Sequence, residues 1–289
     1  MRHCFFIVVL ILATGAFISC QKEISADTPG VSVVPASDSF IVKILEIDSL
    51  TKDSTVFYFD YDNLKRVTTI RQLEQGYPMD TLYSFYYTGN ATLPFKTTHH
   101  PYNDEWFHVY NAQNKLILDS LSDLADTGHI IYNSRNYKTE EFSYATDKII
   151  IKTSHHWHDA SSQTHGVIPT TDTSLINTAG NILFTRFNYF KETATQTYNT
   201  RPNPIAKLNI FPALHPYGFY EADETFIQSP NLWITGYQSS QQTTLYTNDI
   251  RQFNITYNTD GYPARSVISL SQTGGPVFYW NRYYYYKKL

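Results

Sequence analysis

Cysteine and methionine are nearly absent from this 289-residue chain, at two each, and charge is thin, at 17% of residues. Each shortage excludes something. The 22 Lys and Arg against 26 Asp and Glu give a net charge of -4 and no basic stripe, so no nucleic-acid partner is expected. A charged fraction below the usual quarter argues against a chain held open by self-repulsion. Also missing are a Gly-rich phosphate loop, a nucleophile elbow and a zinc-protease helix, and Ser120, Ser143 and Ser174 sit in no triad context. No cofactor is expected.

What the chain has in surplus is tyrosine and phenylalanine, 24 and 18 residues. Rings pack well on a pleated surface and lose rotamer freedom in helices, so the surplus points to sheet. The stretch Val56–Arg71 shows how. Phe57, Phe59 and Tyr61 alternate with Val56, Tyr58 and Asp60 along an extended strand, Asp62-Asn63-Leu64-Lys65 turns the chain, and Val67-Thr68-Thr69-Ile70 returns it. Similar hairpins centre on Thr88-Gly89-Asn90, Asn111–Asn114, Ala145–Asp147, Asn177–Asn181 and Asn258–Gly261. Their unequal spacing excludes a solenoid or a fixed propeller blade. A strand every ten to fourteen residues or so gives roughly 14 to 20 strands, too many for a flat open sheet. The expected fold is all-β: a large antiparallel β-meander rolled into a barrel-like or curved sheet, one domain over 39–289.

The start of the chain reads differently. Arg2 and His3 precede a 12-residue apolar run, Phe5 to Ala16, which is the pattern of an export signal over 1–19. Phe17-Ile18-Ser19-Cys20 resembles a bacterial lipobox, with Phe17 in place of the usual Leu and Ser19 in place of the commoner Gly or Ala. Cys4 leaves with the signal, so Cys20 has no disulfide partner and is the expected lipidation site. The resemblance to lipoproteins, with Gln21 rather than Asp following, implies an outer-membrane location. Residues 20–38, small, polar and Pro/Gly-bearing, read as the lipidated cysteine and a flexible tether.

Tyr61-Asp62-Asn63-Leu64-Lys65-Arg66-Val67 looks like one unit of the tyrosine-aspartate repeats of large secreted shell-forming proteins, with Lys65 where Gly is usual. The lipobox, the Tyr-rich hairpins, Tyr198–Pro204 and Tyr257–Pro263 together resemble Bacteroidetes-type outer-membrane lipoproteins of uncharacterised function. That resemblance implies a porin-like rolled sheet and no activity. A membrane-spanning barrel is not expected, because it needs a lipid-facing apolar band about 25 Å tall. Faces such as Thr68-Ile70-Gln72 and Asn254-Thr256-Asn258 are mixed or polar, and the chain closes on Tyr286-Lys-Lys-Leu289. The domain is read as soluble and lipid-anchored.

Candidate chemistry is sparse. His155-His156-Trp157-His158-Asp159 with His165 is the one cluster of metal-ligand types, and His156, His158, His165 and Asp159 could hold zinc if a loop gathered them. Exposed histidines are the plainer reading, as for His99-His100. The carboxylate pairs Asp104-Glu105, Glu140-Glu141 and Asp223-Glu224 point to opposite strand faces and are not convergent acid–base pairs. Arg201 to Gln242, punctuated by proline, breaks the hairpin pattern and reads as a cap on the rolled sheet, a ligand-contacting loop, or both. Trp157, Tyr217 and Trp233 are the candidate ligand-binding rings. Two functions follow as expectations. The first is a non-enzymatic envelope lipoprotein binding a glycan or envelope partner at one end of the sheet, or serving as a structural component. The second is a metal-dependent hydrolase built on the histidine cluster.

Overall fold

The computed structural model describes residues 39–101, 104–123, 138–159, 164–188, 192–208, 210, 231–242, 245–272 and 275–289. The lipobox, the tether and Tyr217 lie outside them. Among the described residues there are sixteen strands and one short 3-10 turn. In chain order they are β1 (Ser39–Asp48), β2 (Ser54–Tyr61), β3 (Val67–Glu74), β4 (Asp80–Tyr86), β5 (Lys96–His99), β6 (Asp104–Tyr110), β7 (Leu116–Asp123) and β8 (Lys138–Tyr144). There follow β9 (Lys148–Asp159), β10 (Thr164–Ile176), β11 (Ile182–Phe187), β12 (Glu192–Pro202), β13 (Asn231–Gln242), β14 (Leu245–Tyr257), β15 (Pro263–Gln272) and β16 (Val277–Lys288). Each strand pairs antiparallel with the next, and β1 pairs with both β2 and β16, so the meander closes into a barrel. Closure removes the free edges that a long open sheet would expose. At the closing seam Glu46 lies opposite Arg282, and the guanidinium donates to its carboxylate at 2.5 Å, which fixes the register of the last pairing.

Strand direction alternates, so every turn that follows an even-numbered strand falls at one end of the barrel. That end is built from a repeated turn. Asp62 N–H donates to the Arg66 carbonyl and Lys65 N–H to the Asp62 carbonyl, both at 3.0 Å, while Asp62 Oδ1 accepts from Leu64 and Arg66 N–H. Asn111, Asn177 and Asn258 do the same in the turns after β6, β10 and β14. A carboxylate or amide oxygen at this position replaces the ladder bonds that a three-residue loop gives up. The fourth residue of each turn is left-handed: Lys65 at φ 61°, Asn114 at 57°, Gly180 at 84° and Gly261 at 79°. A lysine there carries a steric cost that glycine does not. Lys65→Gly is therefore expected to raise stability by about 0.5–1 kcal/mol, net of glycine's greater unfolded-state entropy; a urea midpoint at or below wild type would contradict this.

The tyrosines close the same end. The hydroxyls of Tyr61, Tyr87, Tyr110, Tyr144 and Tyr286 each donate to a main-chain carbonyl, of Ile41, Val67, Pro94, Leu116 and Pro263 respectively, at 2.5–2.9 Å. In each case a ring at the end of an even strand reaches back to the start of the strand before it. Buried tyrosine needs such a partner, which gives the tyrosine surplus a specific job.

The core lies inside this end. Phe57 and Phe59 point inward as their alternation requires, joined by Ile41, Ile44, Val67, Ile70, Tyr83, Phe85, Phe253, Ile268 and Tyr284. The segment between β12 and β13 enters the same cluster: Ile205, Leu208 and Ile210 are all buried, Ile210 with 0% of its surface exposed. The turn Ala206–Leu208 and the Asn203 side chain, which accepts from Ile205 N–H at 3.0 Å, hold it in place. Of the cap expected over Arg201–Gln242, the described residues between the two strands form a plug, and 211–230 lie outside the described residues. Arg201 and Pro202 belong to β12, and 231–242 is strand β13 rather than irregular chain.

Candidate functional site

On the strands outside the core cluster the inward face turns polar. On β5, β6 and β7, His108 Nδ1 lies 2.9 Å from Asp119 Oδ1 and Nε2 lies 3.0 Å from Thr97 Oγ1. The Nδ1–H donates to the carboxylate, and the other ring nitrogen meets the Thr97 hydroxyl. On β8, Lys138 Nζ sits 2.8 Å from Glu140 Oε1, which also receives the Thr153 hydroxyl of β9 at 3.4 Å. Ser174 and Thr185 pair across β10 and β11 at 3.0 Å. Burial pushes the Asp119 carboxyl above the usual carboxylate range; His108 pulls it down and Glu140 adds to the rise. Asp172 is raised in the same way, first by burial, with a further push from Glu140.

Hydroxyl, imidazole and carboxylate in this order form the connectivity of a nucleophilic triad. The position is wrong for catalysis. Thr97 is 1% exposed and Asp119 2%, so no substrate reaches the hydroxyl. Each contact joins side chains on one strand or on neighbouring strands of the wall, and its chemical capacity is to satisfy buried charge. Sequence reasoning set Glu140-Glu141 aside as divergent, solvated charges; the two do diverge, but Glu140 is buried and only Glu141 is exposed. It missed the inward network itself. The available signal was phase, since His108 shares the alternation of Trp106 and Tyr110, as Lys138 and Glu140 share that of Phe142.

His99, at the end of β5, stacks on Tyr83 with ring centroids 4.6 Å apart. Burial, with help from the neighbouring His100, pushes its pKa down to about 4. The folded protein keeps this ring neutral while the unfolded chain protonates it near 6.5, so the unfolded state binds more protons between those values. Its contribution to stability is present above pH 6.5 and is lost as pH falls toward 4. His99→Gln should lose less in thermal midpoint than wild type on moving from pH 7 to pH 5; equal losses would show that His99 is not the titrating group.

The proposed zinc ligands lie in strands, not in a loop. His156, His158 and Asp159 are in β9 and His165 is in β10, with His158 directly opposite His165 and Asp159 opposite Thr164. Backbone alternation therefore sets Asp159 out of phase with His156 and His158. The candidate ligand-binding rings do not share an end. Trp157 pairs with Gly166 near the far end of β9, whereas Trp233 pairs with Tyr198 at the plugged end, so one site at one end cannot contain both. The opposite end instead exposes large apolar side chains on neighbouring hairpins. Leu50 is 84% exposed and Tyr77 68%, with Met79, Val277, Phe278 and Tyr279 beside them in chain position. The outer wall carries charge: Arg71 grips Asp60 through two bonds of 2.7 and 2.9 Å, and Lys96 meets Glu105 at 2.6 Å.

No family model matches this chain, and no curated protein matches it. Among solved structures it is similar to a porin-like protein from Bacteroides uniformis, at 10% identity and a TM-score of 0.40, covering 86% of this chain and 96% of that one. It is also similar to the Tc holotoxin pore of Photorhabdus luminescens, at 12% identity and a TM-score of 0.31, where the match spans 9% of the toxin chain and 81% of this one. A protein of unknown function from Bacteroides fragilis aligns at 9% identity and a TM-score of 0.19, over 57% of this chain and 79% of that one. The architecture given above rests on this chain's own strand pairing.

Proposed function

We propose that this protein is a non-enzymatic cell-envelope lipoprotein, held at the outer membrane by lipid on Cys20, that binds a glycan or an envelope partner on its outside. The observation that carries this reading is the packed interior among the described residues. Inward side chains from Ile70 to Thr97 to Ser266 are almost wholly inaccessible, whereas a barrel of this strand number that conducts solutes keeps an aqueous lumen. Arg71, the fifth residue of β3, puts charge inside the outer wall and argues in the same direction, because the lipid face of a spanning barrel penalises it. What remains for contact is the outer wall and the rims, where the exposed rings are.

Fatty-acid labelling of cells tests the anchor, and planar-bilayer recording tests the packed interior. Wild type should incorporate label and co-sediment with outer membrane, and Cys20→Ser should do neither. Purified protein should add no steady conductance. Equal labelling of Cys20→Ser and wild type would remove the anchor from this reading, and stable channel currents would replace it with a pore.

A further inference from the structure

The outer wall formed by β15, β16, β1, β2 and β3 is unlike the rest of the molecule. One row across it reads Tyr285, Lys43, Tyr58, Arg71, each directly opposite the next on β16, β1, β2 and β3. Adjacent strands are ~4.8 Å apart, so the two tyrosines of this row stand about 10 Å apart with an ammonium between them. Lys43 Nζ lies 3.7 Å from the Tyr285 ring centroid, and the Arg71 guanidinium lies 5.9 Å from that of Tyr58. In the next outward row along β16 a second cation–ring pair occurs, with Arg265 opposite Tyr283 and 5.5 Å from its ring, and the row then continues through Leu45 and Val56. Tyr285 is 40% exposed.

Charge sets this wall apart further. The whole chain has a net charge of -4, yet β15 and β16 contain no carboxylate at all and contribute Arg265 and the exposed Lys287 and Lys288, while Arg282 is buried on the inward face. In β1 and β2 every carboxylate is engaged: Glu46 with Arg282, Asp60 with Arg71, and Asp48 with the N–H groups of Leu50 and Thr51. Lys43 and Arg265 have no acidic partner opposite them in the strand pairing.

We propose that this wall binds an acidic polysaccharide, with Tyr58, Tyr283 and Tyr285 taking sugar rings and Lys43 and Arg265 taking the carboxylates. The inference rests on the glycan-binding reading above and names its surface and ligand class. Flat rings with polar rims suit the apolar faces of pyranoses, and cations alternating with them suit a polymer charged on successive sugars. In the free protein Lys43 covers Tyr285; on binding, the flexible lysine moves to a carboxylate and a sugar takes the ring. Single-stranded nucleic acid would use similar chemistry, but it is held in cationic grooves that track its backbone, and the outside of a barrel is convex.

Titration calorimetry on the purified full chain tests this with three probes: polygalacturonate, neutral dextran and oligo-dT. Polygalacturonate should bind best. Tyr58→Ala with Tyr285→Ala should weaken it about tenfold, since each lost ring contributes roughly half that free energy. Lys43→Gln, a mild outward change that keeps the fold, should weaken it less and flatten its salt dependence. Near-UV circular dichroism confirms folding of each variant. Polygalacturonate affinity that is absent, or equal in all variants, overturns the proposal, as does a preference for oligo-dT. Dextran bound as well as polygalacturonate overturns the acidic wall and leaves glycan binding standing; neither carbohydrate bound removes both.

Discussion

Leu208→Ala combined with Ile210→Ala should be strongly destabilising, although neither residue lies in a strand. Each side chain is buried in the cluster formed by the inward faces of β1–β4 and β14–β16, and Ile210 has no exposed surface. Truncating a buried Leu or Ile typically costs about 2–5 kcal/mol, because the transfer energy is lost and the cavity closes only in part. The two sites are neighbours, so their effects need not add. A combined loss on the order of 4–8 kcal/mol would be comparable to the whole stability of many domains. Urea unfolding reads the loss, and binding of a hydrophobic dye reads whether the plugged end has opened. A midpoint near wild type would mean that the ring of strand pairings alone holds the barrel shut and that the plug is passive.

The plug was legible as an interruption and not as a shape. Proline at 202, 204 and 212 and the loss of alternation mark where the hairpin pattern stops, but nothing local says that Ile205 and Ile210 turn inward. The hairpins were legible in detail. Asp62, Asn111, Asn177 and Asn258 each sit where an Asx side chain bonds the turn's own N–H groups, and those bonds depend on a few adjacent residues. The strand total fell within the expected range, and the inward row Phe57 and Phe59 followed from alternation alone. Closure was not legible, because β1 meets β16 across the longest sequence separation in the chain. Which end a residue occupies was not legible either. That depends on the parity of every strand before it, including a four-residue strand, Lys96–His99, whose composition announces nothing. Trp157 and Trp233 were grouped for that reason and lie at opposite ends.

Asp119→Ala should destabilise far more than Asp119→Asn, and the gap isolates what the inward network contributes. Alanine leaves His108 Nδ1–H, buried in the lumen, without the carboxylate that receives it at 2.9 Å, and it strips the Ser120 N–H of its 3.1 Å acceptor. Removing one partner of a buried, hydrogen-bonded pair costs about 3–5 kcal/mol, most of it from the group left behind. Asparagine keeps an acceptor oxygen and the side-chain volume while it gives up the charge. That charge is expensive here: burial raises the Asp119 pKa despite His108, so the folded state holds the proton more tightly than the unfolded chain does. The stability tied to this group is therefore full below the unfolded carboxylate pKa of about 3.8 and declines as pH rises through the elevated folded value. Asparagine does not titrate, so its standing relative to wild type should improve with rising pH, while alanine stays well below both. Urea midpoints for the three proteins at pH 5 and pH 8 measure this directly. An alanine variant within about 1 kcal/mol of wild type, the range of a single net hydrogen bond, would show that the His108–Asp119 pair is solvated in solution and the lumen open to water.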